Sequence, residues 1–140
     1  LISNKLYGPS YISFDTALSY HRIIPETIYS VTSATTKLKR EFKVAAVAYN
    51  YHQIKKAAYT GYKLIKYQGA SVLMAEPEKA LADYLYFVAL KKRGLHYERI
   101  DLSKIHKQKL IKYIKLFNRP KMLNLMEKVY ADFRKPERVH

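Results

Sequence analysis

Two acids and a lysine in this chain have the types and order of a nuclease centre. Pro25-Glu26, followed by Glu41-Phe42-Lys43, loosely has the acid…Glu-x-Lys layout of restriction-type nucleases. Residues two apart on a strand share a face, so Glu41 and Lys43 could stand together. The Glu26 and Glu41 carboxylates would hold Mg²⁺ while Lys43 activates a water. Glu-x-Lys also arises by chance in a lysine-rich chain, and charges on an exposed strand are the plainer reading. The histidines His21, His52, His96, His106 and His140 show no HxH or HxxxH spacing, so no metal site is expected from them. The four glycines, at 8, 61, 69 and 94, are isolated, which excludes a glycine-rich phosphate loop. No GxSxG elbow is present. Asp83 is the one charge inside an apolar segment, and a structural ion pair with Lys79 one turn earlier, or with a basic strand residue, is expected. Catalytic residues, cofactors and metals are therefore all expected to be none.

Binding chemistry has more material. Lys37, Lys39, Arg40 and Lys43 form one basic stretch, followed by Lys55, Lys56, Lys63 and Lys66 interleaved with Tyr49, Tyr51, Tyr59, Tyr62 and Tyr67. Lys104, Lys107, Lys109, Lys112, Lys115, Arg119 and Lys121 form a second, with no acid among them. Lysines neutralise phosphates and tyrosines stack on unpaired bases. Solvated helix and strand faces, with tyrosines packed in a sheet, are the alternative. The nucleic-acid-binding candidates are Lys37, Lys39, Arg40, Lys43, Lys104, Lys107, Lys112, Lys115 and Arg119.

The element expected to organise these residues is Ala70 to Lys92. Ser71 to Ala75 reads as a buried strand, Glu76-Pro77 as the corner, and the segment to Leu90 as a helix apolar all round, hence central. Glu78 places negative charge at its positive end, and Lys91-Lys92-Arg93-Gly94 closes it. Before it, Leu1 to Leu6 reads as the last turn of a helix closed by Gly8 and Pro9. Ser13 is expected to cap a helix over Phe14–His21. Thr27–Ser33 is expected to be a strand. Phe42–Ile54 suits one long strand or a hairpin, with Phe42, Val44, Ala46 and Ala48 on one face and Val47, Tyr49 and Tyr51 on the other; a helix is also open. Tyr59–Tyr67 is a further strand with a possible bulge at Gly61, and Gln68-Gly69 a turn. Asp101 or Ser103 should start a helix to Phe117 whose inner side carries Leu102, Ile105, Leu110, Tyr113, Ile114 and Phe117. A last helix runs from about Lys121 to Phe133, with Met122, Met126, Val129, Tyr130 and Phe133 inward, and residues 134–140 as a frayed tail. Strands in the first half and helices in the second predict an α+β fold: an antiparallel or mixed sheet packed by the buried central helix and two C-terminal amphipathic helices, in a single domain over 1–140.

The net charge of +15 favours polyanionic partners, nucleic acid first and anionic membrane second. The absence of cysteine excludes disulfides, thiolate zinc sites and cysteine catalysis. No apolar run approaches the ~20 residues that span a bilayer. The first residue is Leu1, and the opening LISNKLYG reads as the end of something, so a piece of a longer protein is expected.

Leu6-Tyr7-Gly8-Pro9-Ser10-Tyr11-Ile12-Ser13, Ala17-Leu18-Ser19-Tyr20 and Ile24-Pro25-Glu26 resemble the segment after the DNA-binding domain of AbiEi-type antitoxins. Val31-Thr32-Ser33 with Thr35-Thr36-Lys37, and Ala75-Glu76-Pro77-Glu78-Lys79-Ala80-Leu81-Ala82-Asp83, match in order and approximate spacing, so the resemblance covers residues 6 to about 90. It departs at Lys43–Val47, where members often carry a Pro/Gly turn, and at Glu76, where they tend to carry Ser or Thr. The resemblance implies a non-enzymatic antitoxin and transcriptional autoregulator domain of a type IV toxin–antitoxin, abortive-infection system, working in the cytoplasm. It implies DNA as partner, mainly through an N-terminal winged helix that nothing here corresponds to, and a nucleotidyltransferase-like toxin opposed without a tight complex being required. The alternatives are the Mg²⁺-dependent nuclease of Glu26, Glu41 and Lys43, and a protein-interaction scaffold with a Tyr-rich surface.

Overall fold

The computed structural model describes residues 3–94 and 99–134. In chain order its elements are α1 (Ser3–Leu6), β1 (Ser10–Ile12), α2 (Phe14–Tyr20), β2 (Val31–Thr35), β3 (Arg40–Val44), β4 (Val47–Gln53), a 3-10 turn (Lys56–Ala58), β5 (Tyr62–Tyr67), β6 (Ala70–Ala75), α3 (Pro77–Ala89), α4 (Lys107–Lys115) and α5 (Lys121–Arg134). The strands form one mixed sheet in the order β3-β4-β2-β1-β6-β5. Pairs β1–β2, β3–β4 and β5–β6 are antiparallel, while β1–β6 and β2–β4 are parallel. The fold is α+β, as the order of elements along the sequence implied.

Paired residues share a face, so the register sorts the sheet. Tyr11, Ala34 and His52 are aligned across β1, β2 and β4, on the face toward α3: Tyr11 bonds Asp83, and the His52 ring packs on Phe87. The other face presents Phe42 and Tyr51 to Tyr7, with ring centroids 5.9 and 5.2 Å away, and the Tyr51 hydroxyl bonds the Ser3 carbonyl in α1.

The segment 70–92 forms the strand–proline–helix unit expected of it. Pro77 sits in the first turn of α3, the Glu76 carbonyl accepts the Ala80 N–H at 2.9 Å, and every α3 residue except Pro77 and Val88 is buried. α2, α4 and α5 pack on α3. α4 turns Leu110, Tyr113 and Ile114 inward, with Phe117 just beyond it, and α5 turns Met122, Met126 and Val129 inward. Tyr130 is half-buried and Phe133 is exposed, so the inner stripe ends earlier than the sequence suggests.

Local chemistry moves several boundaries. The strand expected at Thr27–Ser33 begins at Val31, where pairing with Tyr49 of β4 starts, and β1 joins on the other side from Ser33; upstream, Tyr29 lies in solvent. Residues 42–54 are the hairpin of β3 and β4, turned by Ala45 (φ 50°) and Ala46 (φ 65°) in the left-handed region that two-residue hairpins use. That turn pairs Phe42 with Tyr49 and puts both on one face, correcting the opposite-face assignment, which holds only for a continuous strand. β5 starts at Tyr62, after Gly61 (φ 82°), so Gly61 precedes the strand and is no bulge within it. A Cβ there would stand 2.8 Å from Lys79 Cγ and 3.0 Å from the Tyr113 ring. The helix end after α3 is made by Lys91, not by Gly94: Lys91 takes the left-handed position (φ 59°), and the Lys92 N–H bonds the Phe87 carbonyl. α4 begins at Lys107 instead of near Asp101, because the Asp101 carboxylate accepts the Ser103 N–H in a local turn and Glu78 of α3 accepts the His106 N–H at 2.9 Å. The tail expected to fray lies, beyond Arg134, outside the described residues.

Candidate functional site

The ion pair expected at Asp83 exists. Lys79 and Asp83, one turn apart on α3, have no solvent exposure. The Lys79 ammonium bonds Asp83 Oδ1 and, at 2.7 Å, the Tyr11 hydroxyl. It also lies 5.0 Å from the Phe117 ring centroid. Asp83 Oδ2 accepts the hydroxyls of Tyr11 at 2.9 Å and Ser13 at 2.6 Å. Ser13 therefore makes no side-chain cap to α2, a correction to its expected role; Thr32 Oγ1 accepts the Thr16 N–H at 3.1 Å instead. Burial pushes the Tyr11 hydroxyl well above the ordinary tyrosine range, reinforced by the Asp83 charge. Burial also pulls Lys79 down, against the opposing pull of Asp83. A dry network with its donors and acceptors matched joins β1 to α3 and offers no substrate access, so its role is structural.

Glu76, at the strand–helix corner, gathers a second set of partners. Its carboxylate accepts Lys109 at 2.5 Å and Tyr113 at 2.6 Å, with Lys63 at 3.2 Å. Burial raises its affinity for a proton, but these three donors outweigh it and hold the group down to about 2. Burial and the same carboxylate push the Tyr113 hydroxyl well above the ordinary tyrosine range. Glu76 thus clamps α4 to the β6–α3 corner.

The sequence-predicted basic residues divide. On β3, Arg40 shares a face with Phe42, its guanidinium 5.1 Å from that ring and 5.7 Å from Tyr7, and the Lys37 ammonium lies 5.3 Å from Tyr7. Lys43 points to the opposite side of the strand with Glu41, and Lys39 lines a cavity described below. In the second stretch, Lys107 meets Glu127 at 3.5 Å and Lys109 meets Glu76, so acids from other elements reach a run that contains none. Lys104, Lys112 and Lys115 are exposed and Arg119 is half-buried. The interleaved tyrosines serve packing: Tyr49 and Tyr51 are buried, Tyr59 and Tyr62 pack on Tyr11 at 5.1 and 4.8 Å, and Tyr67 packs on Tyr20 at 5.6 Å. Glu26 is exposed in the loop after α2, and Glu41 and Lys43 are exposed on β3, an edge strand. Among the described residues, no three His, Asp or Glu side chains are grouped to hold a metal ion, and no helix is long and apolar enough to cross a membrane.

One concave site combines charge with aromatic surface. A cavity of about 740 Å³ opens beyond the carboxyl ends of β2 and β4, against the last turn of α3. Its floor holds Phe14, His52 and Phe87, with centroids 5.1 to 5.4 Å apart, beside Tyr86. Lys39, Lys55, Lys56, Lys92 and Arg93 line it. Lys55 donates to the Phe117 carbonyl at 2.7 Å, and Arg93 grips Asp15 with two nitrogens, one contact at 3.0 Å. Among the described residues, no carboxylate pairs with Lys39, Lys55, Lys56 or Lys92. Burial, then Lys39 and Arg93, hold the His52 imidazole below its ordinary range. Sequence reasoning set His52 aside as a lone histidine and took Lys92 and Arg93 as a helix ending. Only the pairing of β2 with β4 brings them together, and no local pattern encodes it.

Comparison with protein-family models, curated proteins and solved structures finds no match to the chain.

Proposed function

We propose that this chain is the antitoxin and autoregulator domain of a bacterial type IV toxin–antitoxin, abortive-infection system. In this reading it is non-enzymatic, works in the cytoplasm, opposes a nucleotidyltransferase-like toxin, and supports operator binding by a winged helix elsewhere in the protein. The observation that carries it is the convergence of the residues on which the resemblance rests. Tyr11 and Ser13 from the first motif, Lys79 and Asp83 from the last, form one network, and Thr32 from the middle motif bonds the Ser13 carbonyl at 2.7 Å. Segments that resemble the family in order along the chain thus meet in one network, which supports the reading. The outward lysines Lys104, Lys112 and Lys115, with Lys37 and Arg40 across the molecule, supply sequence-independent affinity for a DNA backbone.

The test is fluorescence anisotropy with duplex DNAs of unrelated sequence across a salt series. With about four phosphate contacts, affinity should fall about a hundredfold between roughly 50 and 200 mM salt and should not depend on sequence. Salt-insensitive, sequence-specific binding by this domain would overturn its supporting role. Rescue of growth on co-expression with a nucleotidyltransferase-like toxin encoded beside this chain's gene tests antitoxicity; no rescue, with both proteins soluble, or no such toxin gene, counts against it.

A further inference from the structure

We propose that the cavity beyond β2 and β4 is a nucleotide-binding site, the base resting against the half-buried His52 ring that Phe14 and Phe87 hold, and the phosphates held by Lys39, Lys56 and Lys92. The proposal goes beyond the antitoxin reading and does not rest on it. Four observations support it.

The volume, about 740 Å³, falls within the ~300–1,000 Å³ of small-molecule sites. Phe14 and Phe87 are 2% and 7% exposed and the Lys92 ammonium lies over the Phe87 ring, so the half-buried His52 ring, edge-on to Phe14 at 80°, is the floor surface that a planar base would meet. Among the described residues, Lys39, Lys56 and Lys92 on the rim have no carboxylate partner, while Asp15 neutralises Arg93. Like charges around one concavity raise each other's energy, and a polyanion relieves that cost. Lys55 on the same wall, held on the Phe117 carbonyl, adds positive charge without needing to move.

The fourth observation is backbone strain. Phe14 opens α2 with φ 54°, a conformation bulky residues rarely adopt. Such strain persists only where surroundings enforce it, and here it sets an aromatic ring in the floor of a charged cavity. The lysines alone would suit any phosphate; the half-buried His52 ring, held by Phe14 and Phe87, is what favours a base attached to it.

Isothermal titration of the whole chain at fixed ionic strength tests this with ATP, GTP and UTP, against adenosine and inorganic tripolyphosphate. At least one nucleotide should bind about tenfold more tightly than tripolyphosphate, because the base adds stacking. The double variant Lys56→Glu/Lys92→Glu should weaken that nucleotide about tenfold or more by removing charge-assisted contacts. Both residues are exposed, so circular dichroism should show a retained fold. Lys112→Glu/Lys115→Glu on α4, neither of which lines the cavity, should change nucleotide affinity by less than about twofold, since exposed charges are screened. His52 ring resonances should shift on binding. A 5′-phosphorylated tetranucleotide separates the two sources of the ligand: tighter binding than the mononucleotide, with the same sensitivity to the rim variant, assigns the site to a strand end, and weaker binding assigns it to a free nucleotide. Tripolyphosphate binding as tightly as every nucleotide, no binding of any of the three, or equal loss in the α4 variant would each overturn the proposal.

Discussion

Lysines meet aromatic rings in two regions of this protein, with opposite consequences. In the Lys79–Asp83–Tyr11–Ser13 network the ammonium has a carboxylate, a hydroxyl and ring faces, and water has no access. In the cavity, Lys39 and Lys56 are exposed, Lys92 has a ring face of Phe87 but no carboxylate, and Phe14, His52 and Phe87 pack on one another. Charge that is matched and dry holds a fold together; charge that is unmatched and open waits for something to bind. A residue type therefore carries less functional information than whether its partners are already in place.

The sharpest way to break the comparison is inside the network. Asp83→Ala leaves a buried ammonium without its carboxylate and should cost about 3–5 kcal/mol by urea unfolding. The double variant Lys79→Met/Asp83→Leu removes both charges and should cost only about 1–2 kcal/mol, for the hydroxyls left without an acceptor. A single-variant loss below about 1 kcal/mol would show that water reaches the pair after all. Next in size, Gly61→Ala should cost about 2 kcal/mol, since Gly61 combines a positive φ with a Cβ position already filled by Lys79 and Tyr113.

Glu76 lies between the two extremes, partnered but at the edge of solvent. Its proton affinity is depressed in the fold, so its stabilisation is complete above the ordinary carboxylate range near 4.5 and is lost as pH falls toward about 2. Glu76→Gln should remove about 2 kcal/mol at neutral pH and flatten the acid limb between those values, after discounting the mostly exposed Lys63. An unchanged acid limb would mean that Lys109 and Tyr113 do not hold the charge. The smallest effect belongs to the cavity: Lys56→Ala and Lys92→Ala should each stay within about 0.5 kcal/mol of the parent, or gain slightly as repulsion falls. Losses well beyond that would move these lysines into the structural class.

Much of the scaffold was legible because it follows from local rules. The proline at the start of α3, the all-round apolar run behind it, and the i, i+4 spacing of Lys79 and Asp83 each state their structure within a few residues. The hairpin was legible only as an option: Ala45-Ala46 lacks the glycine or asparagine that advertises positive φ, and the pairing of β2 with β4 decides it. The start of α4 was hidden because Glu78, a residue of another helix, caps it. Lys37, Lys39, Arg40 and Lys43 read as one patch along the chain, yet strand alternation and the β2–β3 turn send them in three directions. The cavity was illegible for a related reason: its floor comes from α2, β4 and α3, which no sequence window spans.

β1 is only three residues long, yet it sits inside the sheet between β2 and β6. Tyr11 on it must find Asp83, 72 positions further along, before the network closes. That order has a kinetic side. The wing of β1, β2, β3 and β4 can pair from one continuous stretch, whereas β6 pairs with β1 only after the whole chain of β2 to β5 between them has been closed, so the two wings have different closure entropies. On a ribosome the first wing would emerge with the Tyr11 side of β1 uncovered, and completion would wait for α3. A refolding experiment that follows Tyr11 burial separately from hairpin formation should therefore see two rates, with the slower one set by the docking of α3.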